Sequence, residues 1–359
     1  MEAVALFPDG PELRVIETDT PSPDDGEALI RTLAVGIDGS DRRIAAGEIG
    51  GDVPEGDDHL IIGHEAVGVV EDANGTELTD GEIVTPLVRR PVDEGSRFAR
   101  NGELDMAPPG TFHERGIMGM HGYMAEYFTS EPEYLVSVPE SRAAYGFFVE
   151  PTSILEKSLD QTFTARSAFD WRPESAFVFG NGNLGLLALA RLETGEEFAR
   201  TYCLGRRDRP DRTIDFIETV GGTYVDSREV SVADFTAEHA PADYVFETTG
   251  YPKHAVDAVH ALAPNGVATV QGIPGGSASF DIDCGELHSE LVVSNKALLG
   301  VVNSRKPHFE AAAEWLAEVP ESVLDSLVTG RYGLDGLEEA FADSPETLKS
   351  VVAFDREVN

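Results

Sequence analysis

Apolar and polar positions divide the chain into two textures. Over about the first 150 residues, short apolar runs at 28–35 and 65–70 are bounded by Gly and Asp, and alternation returns at 123–128 and 134–138. These runs predict strands joined by turns. Residues 86–120, with Pro86, Pro91, Pro108, Pro109 and several glycines, predict an irregular surface lobe. After Pro151 the pattern changes. A helix is expected over 153–165, then a strand at 176–179, a helix at 184–192, a strand at 201–204 and a helix at 213–220. Three further apolar runs, 244–248, 267–271 and 297–301, read as strands. Strand–helix alternation of this kind predicts a parallel sheet covered on both faces, an α/β architecture. The tail from about 306 carries an amphipathic helix at 308–317 and a shorter one at 337–341. There is no internal repeat and no low-complexity segment.

Composition refines this picture. Of 359 residues, 41 % are hydrophobic, which is globular rather than disordered. Acidic residues number 65 against 27 cationic ones, a formal net charge of −38. Nucleic acid and anionic membranes would be repelled, so neither is an expected partner. Only five of the cations are lysines: Lys157, Lys253, Lys296, Lys306 and Lys349. Carboxylates spread along the whole chain with so little lysine predict a surface adapted to high salt, where a Debye length of about 3 Å screens self-repulsion. Two cysteines, Cys203 and Cys284, make no disulfide framework. No 18-residue apolar run exists, and the first ten residues lack the basic start of a signal peptide. A soluble, cytoplasmic protein is expected.

The clearest chemistry lies at Gly180-Asn181-Gly182-Asn183-Leu184-Gly185, a complete G-x-G-x-x-G after a predicted strand and at the opening of a predicted helix. Gly180 permits the tight turn, Gly182 lets the backbone approach a pyrophosphate, and Gly185 allows helix to pack on strand. The helix N-terminus then offers free N–H groups and a favourable dipole to the anion. NAD enzymes place a carboxylate about 20 residues further on, to accept the ribose hydroxyls. Here the second strand ends in Gly205-Arg206-Arg207. Without a carboxylate, and with two guanidinium forks, the site favours a 2′-phosphate. NADP is therefore expected over NAD.

Potential metal ligands are scattered. Asp38 sits in an oxygen-rich turn, His64 and Glu65 follow 26 residues later at a strand start, and Glu150 lies 86 residues beyond His64. Singly, each is an ordinary residue in an ordinary place. Together, carboxylate, imidazole and carboxylate could fill three positions around Zn²⁺ and leave a fourth for substrate.

The chain resembles the zinc-dependent medium-chain dehydrogenases, and among them the glucose dehydrogenases of halophilic archaea. The resemblance is carried by VGIDGSD (35–41), IIGHEAVGVV (61–70), ERGIMGMHGYMAEYF (114–128), FVEP (148–151), FGNGNLGLL (179–187), CLGRRDRP (203–210), ALAPNGV (261–267) and NKALLGVVNS (295–304). It implies a GroES-like β-rich catalytic domain at 1–152 and 305–359, and a Rossmann doubly wound parallel-sheet domain at 153–304. It also implies that Asp38 stands where most of the superfamily has a zinc-binding Cys. His64 would be the imidazole ligand, Glu150 the third ligand, and Glu65 either a ligand or an orienting group. Ser40 would relay a proton, and Ser40, Glu114, Glu150 and Asn303 would meet the sugar. Gln271, Gly272, Ile273, Val301, Val302 and Asn303 would line the nicotinamide side, joining Gly180 to Gly185, Arg206 and Arg207 in holding the cofactor.

The implied activity is oxidation of D-glucose, with other aldoses as further candidates, at C1 to the lactone. The protein would be a homodimer or homotetramer. Two departures from the superfamily stand out. Residues 86–120 contain no cysteine, so the second, structural zinc is absent and a single metal per chain is expected. Asp in place of Cys at 38 is a harder ligand and widens tolerance for other divalent ions. His59, His113 and His121 match no ligand position and read as structural. A lobe salt bridge, Glu114 to Arg115, competes with the sugar role of Glu114. A zinc-dependent polyol or alcohol dehydrogenase, and a zinc-free relative that binds NADPH, are the alternative readings.

Overall fold

The computed structural model describes all residues except 9, 231, 233, 234, 237, 238, 276, 277 and 356–359. The chain divides into two compact units, Met1–Ile154 with Asn303–Asn359, and Leu155–Val302. No helix among the described residues is long and apolar enough to cross a membrane.

In the first unit, seven strands among the described residues form the main sheet around Ala28–Ile37. Glu65–Asp72 and Lys349–Ala353 flank that strand, both antiparallel to it. The register sets Gly36 opposite Glu65 on one side and opposite Val351 on the other, with Ile37 opposite Ser350. Glu65, Asp38 and Lys349 are thereby gathered at one end of three adjacent strands. Further in, Ile30, Val35, Ala66, Val70 and Val352 belong to one buried apolar cluster that fixes this register.

Three features of this unit differ from the sequence expectation. The lobe is irregular only in part: Arg89–Pro91, Phe112–Arg115 and Gly119–Met120 form a small sheet, while 92–111 runs through turns with a short α-helix, Arg97–Arg100. Its order comes from buried arginines rather than apolar periodicity. Arg89 lies over the Phe112 ring at 3.7 Å, Arg90 over Tyr134 at 4.0 Å and Arg115 over Tyr123 at 4.7 Å. The tail holds more than two helices. After Lys306–Glu318 come a helix at Glu321–Leu327 and strands at Val328–Tyr332 and Lys349–Ala353. Finally, the helix expected from 153 begins at Val149 and runs to Arg166, placing Glu150 in its first turn. Pro151 is tolerated there because a first-turn N–H has no intrahelical partner.

In the second unit, six strands among the described residues make an all-parallel sheet. Their order is Thr223–Asp226, Arg200–Gly205, Ser175–Phe179, Ala242–Glu247, Leu262–Val270, Ala297–Gly300. Chain order reverses between Ser175–Phe179 and Ala242–Glu247, the doubly wound arrangement with a switch point at that pair. Ser175–Phe179 is buried at every position, which is why it reads as an unbroken apolar run. The edge strand Thr223–Asp226 is only partly covered, with Val225 its one buried position, and gave no such signal.

Candidate active site

In the first unit the turn after Ala28–Ile37 becomes a short helix, Gly39–Ala45, whose N-cap is Asp38. The Asp38 carboxylate accepts from the Asp41 N–H at 2.8 Å, and the Asp41 carboxylate accepts from the Asp38 N–H at 3.0 Å. This reciprocal cap holds both acids in place. Ser40 Oγ donates to Asp38 Oδ1 at 2.7 Å. His64 is buried; its Nε2 lies 3.8 Å from Asp38 Oδ2 and its Nδ1 lies 3.2 Å from Asp41 Oδ1. Neither His64 Nδ1 nor Asp41 Oδ1 has a well-directed hydrogen bond among the described residues.

Glu65 follows, fully buried, with its carboxylate on the buried Lys349 ammonium. A Cβ on Gly36 would stand 2.4 Å from Glu65 Oε2, so glycine at 36 is what makes room for this acid. One donor atom each from Asp38, His64 and Glu65 lie within 4.8 Å of one another. Glu150 stands outside that triplet, although it is buried and its carboxyl feels all three.

Electrostatics set this cluster apart. Burial, with Glu65 and Asp38 nearby, pushes the Glu150 carboxyl up to about 8, and His64 and Lys349 offset this only in part. Burial likewise raises Glu65 and Asp41. Burial opposes a charged His64, yet the carboxylates of Asp41 and Asp38 hold its pKa well above the ordinary value. Asp38 stays below the usual range: burial works against its charge, but His64, Lys349 and the Asp41 N–H outweigh it. Four acids thus share one imidazole and one ammonium. Such an excess of buried negative charge, with nitrogen and oxygen donors converging, fits a divalent cation. Asp41, absent from the sequence-predicted set, is placed to orient His64 through Nδ1, the usual partner of a metal-binding imidazole.

The remaining sugar-contact candidates also lie in this unit. Glu114 accepts from Arg89 Nε at 2.9 Å, not from Arg115 as the sequence suggested. Arg115 is committed instead to the carbonyls of His121 and Thr129. Asn303 is buried with φ +55°, and its Oδ1 has no hydrogen-bond partner among the described residues. His59 and His121 stack at 5.1 Å, His121 Nδ1 accepting from the Ile61 N–H, a structural arrangement.

In the second unit, Gly180 to Gly185 run from strand Ser175–Phe179 into helix Asn183–Thr194 at the switch point. A Cβ on Gly185 would fall 1.9 Å from the Gly180 carbonyl oxygen, whereas one on Gly182 would meet nothing within 4 Å. Gly185 is therefore required by packing, and Gly182 leaves open space at a helix N-terminus with no acid in its first turn. Gly205 is required too: a Cβ there would come 2.6 Å from Tyr224 and 2.7 Å from Asn181. Arg206 is exposed and Arg207 half-buried, and neither pairs with a carboxylate among the described residues. Their neighbours Arg209 and Arg228 are already held by Glu218, Asp208 and Asp226. Two unpaired guanidiniums beside that strand end fit a 2′-phosphate.

Gln271 is engaged with Ser158, and the amide orientation that satisfies both its ends donates to the Glu247 carbonyl. Any cofactor contact from Gln271 would come from its backbone. Gly272 packs against Gly250, Ile273 and Val302 are exposed, and Val301 is buried.

A doubly wound nucleotide unit and, in the same chain, a β-rich unit that carries a cluster of metal-type donors make up the architecture of the medium-chain alcohol dehydrogenase class. Residues 24–140 match the alcohol dehydrogenase GroES-like domain, and residues 143–354 match the glucose dehydrogenase C-terminus. The chain belongs to the glucose dehydrogenase family. It is 74 % identical over 356 residues to glucose 1-dehydrogenase 2 of Haloterrigena turkmenica, covering 99 % of this chain and 100 % of that one. Identity to glucose 1-dehydrogenase of Haloferax mediterranei is 51 %, covering 99 % of each. A crystal structure of Haloferax mediterranei glucose dehydrogenase in complex with NADP, Zn and gluconolactone superposes with a TM-score of 0.95, covering 99 % of both chains at 50 % identity.

Proposed function

We propose that this protein is an NADP-dependent, zinc-assisted glucose 1-dehydrogenase that oxidises D-glucose at C1 to the lactone. The observation that carries this reading is the TM-score of 0.95 to a glucose dehydrogenase bound to NADP, Zn and gluconolactone. The clustered donors of Asp38, His64 and Glu65 and the unpaired Arg206 and Arg207 support it. Asp38, His64, Glu65 and Glu150 would hold one metal ion, with Asp41 fixing the His64 ring. When bound, the metal supplies Lewis acidity toward the C1 hydroxyl and the nicotinamide supplies the hydride acceptor.

The chain's own groups do the rest. Ser40 directs its O–H to Asp38, which leaves its lone pairs to accept the substrate proton. The relay is completed when the Ser40 O–H turns from Asp38 and releases its own proton to an outer acceptor, so that the hydroxyl stays neutral. Glu150, uncharged over much of the neutral range when no metal is present, and Glu114 would bind sugar hydroxyls, and Asn303 Oδ1 is a free acceptor for another. The N–H groups at the start of helix Asn183–Thr194 would bind the pyrophosphate.

The reading extends to assembly and location. Strand Ala297–Gly300 is the sheet's edge, and near it Val292, Val293 and Leu298 are 63, 76 and 41 % exposed. An open strand edge with apolar neighbours supports a homo-oligomer built by edge pairing of two copies. Cys203 and Cys284 are both free thiols, which supports a reducing, cytoplasmic setting.

Steady-state oxidation of glucose, galactose, xylose, sorbitol and ethanol with NADP and NAD at molar salt tests the assignment. Glucose with NADP is expected to give the highest kcat/KM; sorbitol or ethanol in that position would instead make it a polyol or alcohol dehydrogenase. Arg206→Asp should lower kcat/KM for NADP by about 10- to 100-fold, the worth of one charge-assisted contact. NAD should be little affected, and equal losses with both cofactors would contradict the 2′-phosphate assignment.

A further inference from the structure

A cavity of about 240 Å³ lies within the first unit, between the lobe and the start of helix Lys306–Glu318, and none of the acidic-cluster residues lines it. That is room for a small anion together with water. Its lining reverses the sign of the molecule. Arg89, Arg100, Arg305 and Lys306 face it with a single carboxylate, Glu133, in a chain where acids outnumber bases 65 to 27. The first turn of the adjoining helix carries no acid, so its positive end adds to the field.

Arg89 is the built element of this site. It is 6 % exposed and held over Phe112. Its Nε donates to Glu114, and its Nη1 donates to the carbonyls of Leu104 and Asp105 at 3.0 and 3.1 Å. Nη2 makes no hydrogen bond among the described residues. A guanidinium fixed on three sides with one nitrogen left over is preorganised for an oxyanion, and its directional donors discriminate against the chloride of a saline cell.

We propose that this cavity binds a phosphoryl group or similar tetrahedral oxyanion and that its occupancy is felt by the sugar-binding residues. Two contacts carry the coupling. Arg89 holds Glu114, and the cavity residue Ser304 bonds through its hydroxyl to Ser153, whose own hydroxyl donates to the Glu150 carbonyl. The coupling rests on the reading of Glu114 and Glu150 as sugar contacts; the binding site itself does not. An anion drawn to Nη2 competes with Glu114 for the guanidinium charge and loosens the carboxylate that meets the sugar. The phosphoryl group could be free inorganic phosphate or part of a phosphorylated sugar.

The test uses the zinc- and NADP-loaded enzyme in molar KCl, with inorganic phosphate as titrant against KCl at matched ionic strength. Calorimetry should show saturable phosphate binding, and KM for glucose should rise by about fivefold, the low end of coupling between linked sites. Both effects should vanish in Arg100→Ala/Lys306→Ala, whose residues lie at the rim and outside the proposed catalytic set. Glucose 6-phosphate distinguishes the sources. If it is oxidised with a higher kcat/KM than glucose, and the double variant removes that advantage alone, the phosphoryl group belongs to the substrate. A phosphate response matched by KCl, or retained in the double variant, would overturn the site. Binding with no change in KM for either sugar would overturn the coupling. Glucose turnover without phosphate reports separately on the proposed activity.

Discussion

The ammonium of Lys349 decides how many carboxylates can share the acidic cluster. It is completely buried and bonds to Glu65, 284 residues away, and to the Ile37 carbonyl at 3.4 Å. Removing it leaves Glu65 as a buried anion beside three more acids. Lys349→Met should therefore lower the unfolding free energy of the metal-free protein by about 3–5 kcal/mol, as loss of one partner of a buried pair does. Urea titration at neutral pH checks this, and an unchanged midpoint would show that Glu65 simply takes up a proton. Nothing local in the sequence marks Lys349: it is one lysine in a tail whose strand pairing is long-range. Asp41 is equally silent, since its position one turn after Asp38 looks like a cap and nothing more. Asp38, His64 and Glu65 are legible as residue types and motif positions, but only the register of three strands brings them within 4.8 Å.

At the level of elements, legibility follows burial. Strands covered on both faces, such as Ser175–Phe179, announce themselves as apolar runs, and the glycine motif fixes the turn after them. Thr223–Asp226 at one edge and Lys349–Ala353 in the tail are short and begin with polar residues, so periodicity misses them. The small sheet of the lobe is missed for a different reason. Its order rests on guanidinium–aromatic stacking, which leaves no periodic trace. At the opposite sheet edge, helix Cys284–Val293 buries none of its residues, an unusual state for a helix ending in two valines. If a second copy covers it, Val293→Asp with Leu298→Asp should convert the assembly to a smaller species by light scattering, with the unfolding midpoint of the subunit little changed. An unaltered mass would remove this edge from the interface.

For the molecule as a whole, the charge of −38 and the two-unit division bear on different questions. Charge of that size disfavours compaction unless salt screens it, and so concerns the solvent in which the fold persists. On the proposed reading the chemistry depends instead on one unit gathering a metal-type donor set and the other offering a helix N-terminus and two arginines to the cofactor's phosphates. Metal analysis of purified wild type and His64→Ala, made alongside NADP binding to each, tests this most directly. One equivalent of zinc per chain is expected in the wild type, and at least a tenfold lower zinc affinity in the variant, with NADP bound as before. Wild-type protein that keeps full glucose oxidation after exhaustive chelation, or a His64→Ala variant that retains its zinc, would contradict the account.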